Sequence, residues 1–330
     1  ELNIAANILG LGNAATPFGI RAMQALDTLN PRRGTATNAM ALFLAINTSN
    51  VTLLPTGVIA LRAAAGSADP AAILPTTLLA TLGSTAVAIV ATKLYQRFAP
   101  VKAAPITSKP TTAENQSNDP VTEIDEKKAA EAYPAWVSII ALGMLVGLIP
   151  LAVLYGQLLS VWILPALIVF FLLFGLLRGV RVYEVFVEGA KEGFQVALRI
   201  IPYLVAILVA VGMLRASGGL EVITASLSGI TGHIGLPADA LPMALLRPLS
   251  GSGAYGILAS IINDPSVGPD SYTGYLVSTL QGSTETTFYV LAVYFGAVQV
   301  RRIRHTLAAA LTADLAGVIF AILACTWLLQ

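Results

Sequence analysis

Charge is scarce in this chain: Asp, Glu, Lys and Arg together make up 11% of its 330 residues. A water-soluble domain carries more than that, and a net charge of +1 supplies no field with which to hold nucleic acid. Cysteine occurs once, at Cys325, which excludes an internal disulfide framework and a cysteine-based metal site. The two histidines, His233 and His305, have no ligand-like spacing, so no metal site is expected. No cofactor is expected either. The glycines of LGLGN and SGSG lack the GK[ST] ending of a phosphate loop and follow no strand. The first residues, ELNIAANILG, have neither a basic start nor a cleavage site, so no cleavable signal peptide is read there.

What is abundant is apolar surface. Hydrophobic residues reach 56% and the mean hydropathy is +0.76, which predicts an all-α, polytopic membrane protein. A span needs roughly 20 predominantly apolar residues. Such stretches are read at about 39–61, 71–92, 135–156, 159–178, 198–216, 272–299 and 305–328. Two shorter, Gly-rich and broken segments, about 2–28 and 238–263, are read as re-entrant hairpins.

A repeat organises the chain. NAATPFG at 13–19 parallels SGSGAYG at 250–256, each is followed by a charged or turn-rich gap, and then comes an apolar helix interrupted by polar residues. NTSNVT at 47–52 therefore matches GSTETT at 282–287, and a further apolar helix closes each unit. The second unit has an upstream portion, VRVYEVFVEGAKEGFQVAL and the span after it, without a counterpart in the first. By repeat logic, roughly 60 to 90 residues are expected to precede Glu1. The predicted organisation is a first unit at 1–97, a solvated linker at 98–134 rich in Pro, Ser, Thr and mixed charge, a helix pair at 135–178, and a second unit at 179–330. VEGAKEGFQ, with Glu188, Lys191 and Glu192, is read as interfacial.

Basic residues set the topology. Lys93, Arg97 and Lys102, then Arg178 and Arg181, then Arg301, Arg302 and Arg304 follow three of the spans, and placing all three clusters in the cytoplasm satisfies the positive-inside tendency. The first hairpin, flanked by Arg21, Arg32 and Arg33, then opens to the cytoplasm, while the second, followed by Asp264 and Asp270, opens to the outside. The two units face opposite ways, the inverted-repeat plan of many secondary transporters.

The polar interruptions are where chemistry is expected. Asn13, Thr16, Asn47, Thr48, Ser49 and Asn50 are candidate solute-binding residues from the first unit, and Ser250, Ser252, Gln281, Ser283, Thr284, Glu285, Thr286 and Thr287 from the second. A bland reading stands beside this one, since Ser and Thr in spanning helices often bond their own carbonyls or pack between helices. A carboxylate at mid-bilayer costs on the order of 3 kcal/mol, so Glu285 needs a reason. It could accept a proton, ligate a cation, accept from a ligand, or pair with Arg247. Asp314 is either a second acidic coupling residue or a packing group bonded to a nearby Thr or Ser.

These motifs carry a resemblance. NILGLGNAATPFGIRAM and FLAINTSNVTLLPTGVIALR, within 1–97, resemble the second half of spore maturation protein A; FVEGAKEG, IPYLVAILVAVGMLRASGGL, LRPLSGSGAYG and LQGSTETTFYVLAVYFGAV, within 178–330, resemble nearly all of spore maturation protein B. Both are similar to the wider Gate, or nucleoside recognition, group, which resembles parts of concentrative nucleoside transporters and of a ferrous-iron transporter's membrane domain. The resemblance implies a multi-pass protein of the bacterial cytoplasmic (inner) membrane that moves or gates a small solute; in sporulating bacteria the two proteins are linked to dehydration of the spore core.

The expected function is a carrier of a small polar solute, nucleoside-like or otherwise, by alternating access, coupled to protons or sodium. Its partners would be the solute, the coupling ion, the lipid bilayer and, through Gly-rich faces such as GAYGILAS, a second copy of the chain. The alternative is a non-transporting membrane scaffold or assembly factor. An enzyme is not expected: Ser250 in PLSGSG faintly resembles a nucleophile turn, yet no His lies in a matching span.

Overall fold

The computed structural model describes residues 2–8, 10, 15–99, 168–191 and 234–329, with isolated positions between 165 and 226. The linker and the predicted spans at 135–156 and 198–216 lie outside the described residues or touch them only at such positions. Everything regular among the described residues is helical, as the composition required. Two apolar helices carry the fold, α5 (Leu74–Tyr95) and α10 (Thr306–Leu329), of 22 and 24 residues. At 1.5 Å per residue each exceeds the ~30 Å of a bilayer's hydrocarbon.

Around them stand shorter helices. The first unit holds α1 (Leu2–Ile8), α2 (Thr16–Thr28), α3 (Asn38–Ser49) and α4 (Thr56–Ala64) ahead of α5; the second holds α6 (Leu241–Leu246), α7 (Gly251–Ile262), α8 (Tyr272–Ser283) and α9 (Thr287–Ala297) ahead of α10. Local chemistry sets the boundaries. Thr37, Ser250 and Ser271 cap α3, α7 and α8 by accepting from the N–H of Met40, Gly253 and Gly274, each worth about 1 kcal/mol. The predicted spans at 39–61 and 272–299 are each two half-helices, split where Asn50–Pro55 and Thr284–Thr286 leave helical geometry.

The two broken helices run antiparallel. At one end Gly34 and Ala36, before α3, pair through their backbones with Arg301 and Arg302, after α9. At the other end Arg62, on the last turn of α4, reaches the Pro269 carbonyl and the Asp270 carboxylate ahead of α8. Tyr95 and Thr312 bring the end of α5 against the start of α10, so these run antiparallel too. Apolar side chains fill both ends of the crossing. Met23, Met40, Leu44, Val290 and Phe295 gather at the first end, and Ile59, Ile73, Met243, Leu258 and Leu276 at the second.

α10 shows what surrounds the fold. Leu311, Leu315, Ile319, Leu323 and Trp327 form an exposed apolar stripe at a spacing of four residues, while Ala310, Ala313, Gly317, Ala321 and Ala324 face the protein. Five exposed apolar side chains in a row suit lipid and not water. On the inner side Gly83 lets α5 approach until an added Cβ would lie 2.5 Å from the Phe320 ring.

Candidate functional site

The two breaks meet. Serine, threonine and asparagine compete with helical hydrogen bonding, so runs of them end α3 and α8 midway along the two broken helices. Every orphan backbone group made there needs a partner. Glu285 N–H donates to the Thr48 carbonyl at 2.8 Å, joining one break to the other. Thr85, on α5, donates to the Ser49 carbonyl at 3.0 Å. Arg247, at the end of α6, serves the second break, with Nη2 on the Thr284 carbonyl and, at 3.2 Å, on that of Gln281, while Nη1 donates to the Thr286 hydroxyl at 3.1 Å.

A backbone hydrogen bond ties each break to the region where the first short helix of its unit ends. Leu53 N–H donates to the Ile8 carbonyl, and Phe288 N–H to the Pro248 carbonyl. Leu53 and Phe288 hold the same place relative to NTSNVT and GSTETT. Glycine permits the close approach: a Cβ on Gly282 would touch Thr77 and Pro55 at 3.0–3.1 Å, and one on Gly251 would stand 2.7 Å from the Thr286 hydroxyl oxygen.

Glu285 sits at the centre. Asn50 Nδ2 donates to its Oε1 at 3.4 Å, and Arg247 Nη2 lies 4.0 Å from its Oε2. The Glu285 side chain keeps 36% of its exposure while that of Arg247 keeps 7%. The cation is therefore committed to the break and the anion is still reachable. Gln281 is buried with its Oε1 unpartnered, and its side chain meets the Tyr255 hydroxyl of α7. Thr287, first residue of α9, donates to Asp314 Oδ2 at 2.7 Å.

The other predicted residues divide. Asn47 accepts from Asn7 Nδ2 at 2.9 Å and donates to the Phe43 carbonyl, bracing α1 against α3. Thr48, Ser49 and Ser283 donate to carbonyls of their own helices, at Ala45, Ala45 and Leu280, the bland reading for each of those hydroxyls. Ser250 caps α7. Ser252, beside it, and Thr16, opening α2, are half-buried. Asn13 lies outside the described residues.

Several contributors were not predicted. Asn7 and Tyr255 stand singly in apolar runs, and Ser84, which donates to the Ala313 carbonyl at 2.8 Å, and Thr85 form a short hydroxyl pair inside the long apolar α5, where a bond to their own helix is the ordinary expectation. Arg62 had one: a lone charge closing an apolar run just before Gly66 and Ser67. It is fully buried and also donates to Pro70, Ser67, Asp69 and Ser278, with its guanidinium 4.4 Å from the centre of the Tyr275 ring.

This chain is 46% identical over 170 residues to spore maturation protein B of Bacillus subtilis (strain 168), which covers 52% of the chain and 94% of that protein. The chain belongs to the spore maturation protein B family. A different part of it is 48% identical over 93 residues to spore maturation protein A of the same organism, covering 28% of this chain and about half, 47%, of that relative. Residues 197–301 match the Gate family, described as nucleoside recognition. No solved structure matches. With these relatives and the apolar stripe of α10, the chain is a helical membrane protein of the spore maturation type.

Proposed function

We propose that the protein carries a small polar solute across the bacterial cytoplasmic membrane, binding it where the two helix breaks cross and alternating its access between the two faces. One observation carries this reading: Glu285 stays one-third exposed inside a polar junction whose backbone groups Arg247 and Thr85 already satisfy. The junction thus closes without using up its carboxylate, which is left to receive a ligand donor. Broken helices at mid-membrane are tolerated where they line a cavity or are buried in protein, and a solute site at the crossing gives these two that setting.

The two units act as inverted repeats in this reading. The antiparallel broken helices support it, as do the backbone bonds that Leu53 and Phe288, at the same place after the two breaks, each donate within their own unit. Charge supports the orientation: Arg32, Arg33, Arg301, Arg302 and Arg304 gather at one end, Asp69 and Asp270 at the other, which points the basic end to the cytoplasm. Gate-family membership names nucleosides as the first solutes to try. Nothing in the reading requires a chemical transformation, so the protein acts as a carrier and not as an enzyme.

A scaffold is the competing reading, favoured by Thr48, Ser49 and Ser283, whose hydroxyls turn back on their own helices and bind nothing else among the described residues. Reconstituted protein screened for uptake of nucleosides, amino acids, small acids and divalent metals separates the two. Carriage predicts uptake of one class, reduced at least tenfold by Glu285→Gln. Uptake of none, or uptake indifferent to that substitution, removes the carrier reading or its site.

A further inference from the structure

The junction holds two carboxyl groups in unlike surroundings, and only one has partners that suit a charge. Glu285 faces Arg247, accepts from Asn50 and is partly open. Asp314 is 5% exposed, in the middle of α10, and its Oδ2 accepts from the Thr287 hydroxyl. Its Oδ1 is buried and has no partner among the described residues. Lys93 and Tyr95 on α5, Tyr272 and Tyr275 on α8, Glu285 in the break and Tyr289 and Tyr294 on α9 are the charged and titratable groups of the elements packed around α10; α3 has none. None of them makes a hydrogen bond or ion pair with Asp314 among the described residues. Arg247 acts on it only through space, its Nη1 and Nη2 being occupied at Gln281, Thr284 and Thr286.

We propose that Asp314 is a proton-binding site of the junction, carrying its exchangeable proton on Oδ1 in the conformation described here. The proposal rests on the carrier reading for its purpose: this proton is the one a solute-driven movement of α9 would release. A buried carboxylate with a single neutral donor lacks compensation for leaving water, while a neutral carboxyl group there costs far less. The start of α9 lies beside Asp314, because Thr287 is the first residue of that helix, and its partial positive charge favours the anion. Ionisation is thus within reach if water enters. A metal cation in the same place would need several more oxygens. Among the described residues no three His, Cys, Asp or Glu side chains stand together to supply them.

The coupling follows from position. Thr287 sits directly after the Thr284–Thr286 break and shares α9 with the segment that would move when a ligand engages Glu285. If α9 shifts, Asp314 loses its one hydrogen bond and gains a path to water through the break. Solute at Glu285 and the proton at Asp314 then report to each other across three residues of chain.

Infrared spectroscopy of the purified full chain tests this without any solute. A carboxylic-acid C=O stretch, resolved from the amide bands, is expected at neutral pH, shifting in heavy water, vanishing at alkaline pH, absent from Asp314→Asn and retained in Glu285→Gln. Absence of the band from the unsubstituted protein overturns the proposal, as does its survival in Asp314→Asn, its loss in Glu285→Gln, or its failure to shift or titrate. Should Asp314→Asn not fold, the unsubstituted protein and Glu285→Gln still decide it. The uptake screen stands apart: silent uptake with a titrating band defeats the carrier reading alone, and active uptake without the band defeats this proposal alone.

Discussion

Asn50 and Glu285 occupy the same place in the two polar runs and meet across the crossing, Asn50 Nδ2 donating to Glu285 Oε1 at 3.4 Å. An amide stands opposite the acid where the repeat could have put two acids. Replacing Asn50 by Asp sets like charges against each other in a poorly solvated place. Asn50→Asp is expected to lower thermal stability at neutral pH, and Glu285→Gln in the same chain to restore it, with a coupling of about 0.5–3 kcal/mol. Melting curves of the two single variants and the double variant give the cycle; additive effects would separate the two residues.

Arg247 is the brace of the second break. Arg247→Met leaves the Gln281 and Thr284 carbonyls without donors and Glu285 without its cation. A loss of about 3–5 kcal/mol is expected, because one partner of a buried charged network is removed. A detergent melting curve reads it, and a loss under about 1 kcal/mol would mean that water replaces the guanidinium.

Gly317 sets how closely α10 passes the break. A Cβ there would lie 2.7 Å from the Thr284 Cγ2. Gly317→Ala is expected to cost about 1–3 kcal/mol through overpacking. Thr284→Ser deletes that methyl and should recover most of the loss, read by the same melts in the double variant.

Cysteines placed at Arg33 and Arg302 should react with an impermeant thiol reagent from one face of intact vesicles, and a cysteine at Ser266 only from the other. Labelling of positions 33 and 266 from one face would contradict the opposed units.

His305, just ahead of α10, is buried with both ring nitrogens unpartnered, and burial, with Arg304 beside it, holds its pKa below the usual imidazole value. Unfolding exposes the ring, so the unfolded chain binds the proton more readily. Stability is therefore present above the ordinary imidazole pKa of about 6.5 and is lost as pH falls through the lowered folded value. The melting temperature should drop on mild acidification, and His305→Leu should flatten that part of the profile.

The membrane class and the two breaks were legible because both are written in composition: long apolar runs, and polar residues clustered where such a run should continue. That NTSN and STETT would meet was legible as well, since repeated motifs on a common plan tend to converge. Arg247 was foreseen as a partner for Glu285, but its service to the Gln281 and Thr284 carbonyls was not, because backbone acceptors leave no mark in a sequence. Arg62 escaped for a related reason. Its partners, Ser67, Pro70, Pro269 and Asp270, come from two loops some 200 residues apart, which only the folded arrangement brings together.

Arg62 fastens one end of the antiparallel pair and the Gly34–Arg302 backbone contacts fasten the other. Two rods lashed at both tips cannot be drawn straight apart without tearing both lashings at once. What leaves both lashings whole is a flexing of each rod at its own unwound middle, where Asn50–Pro55 and Thr284–Thr286 already interrupt the helix.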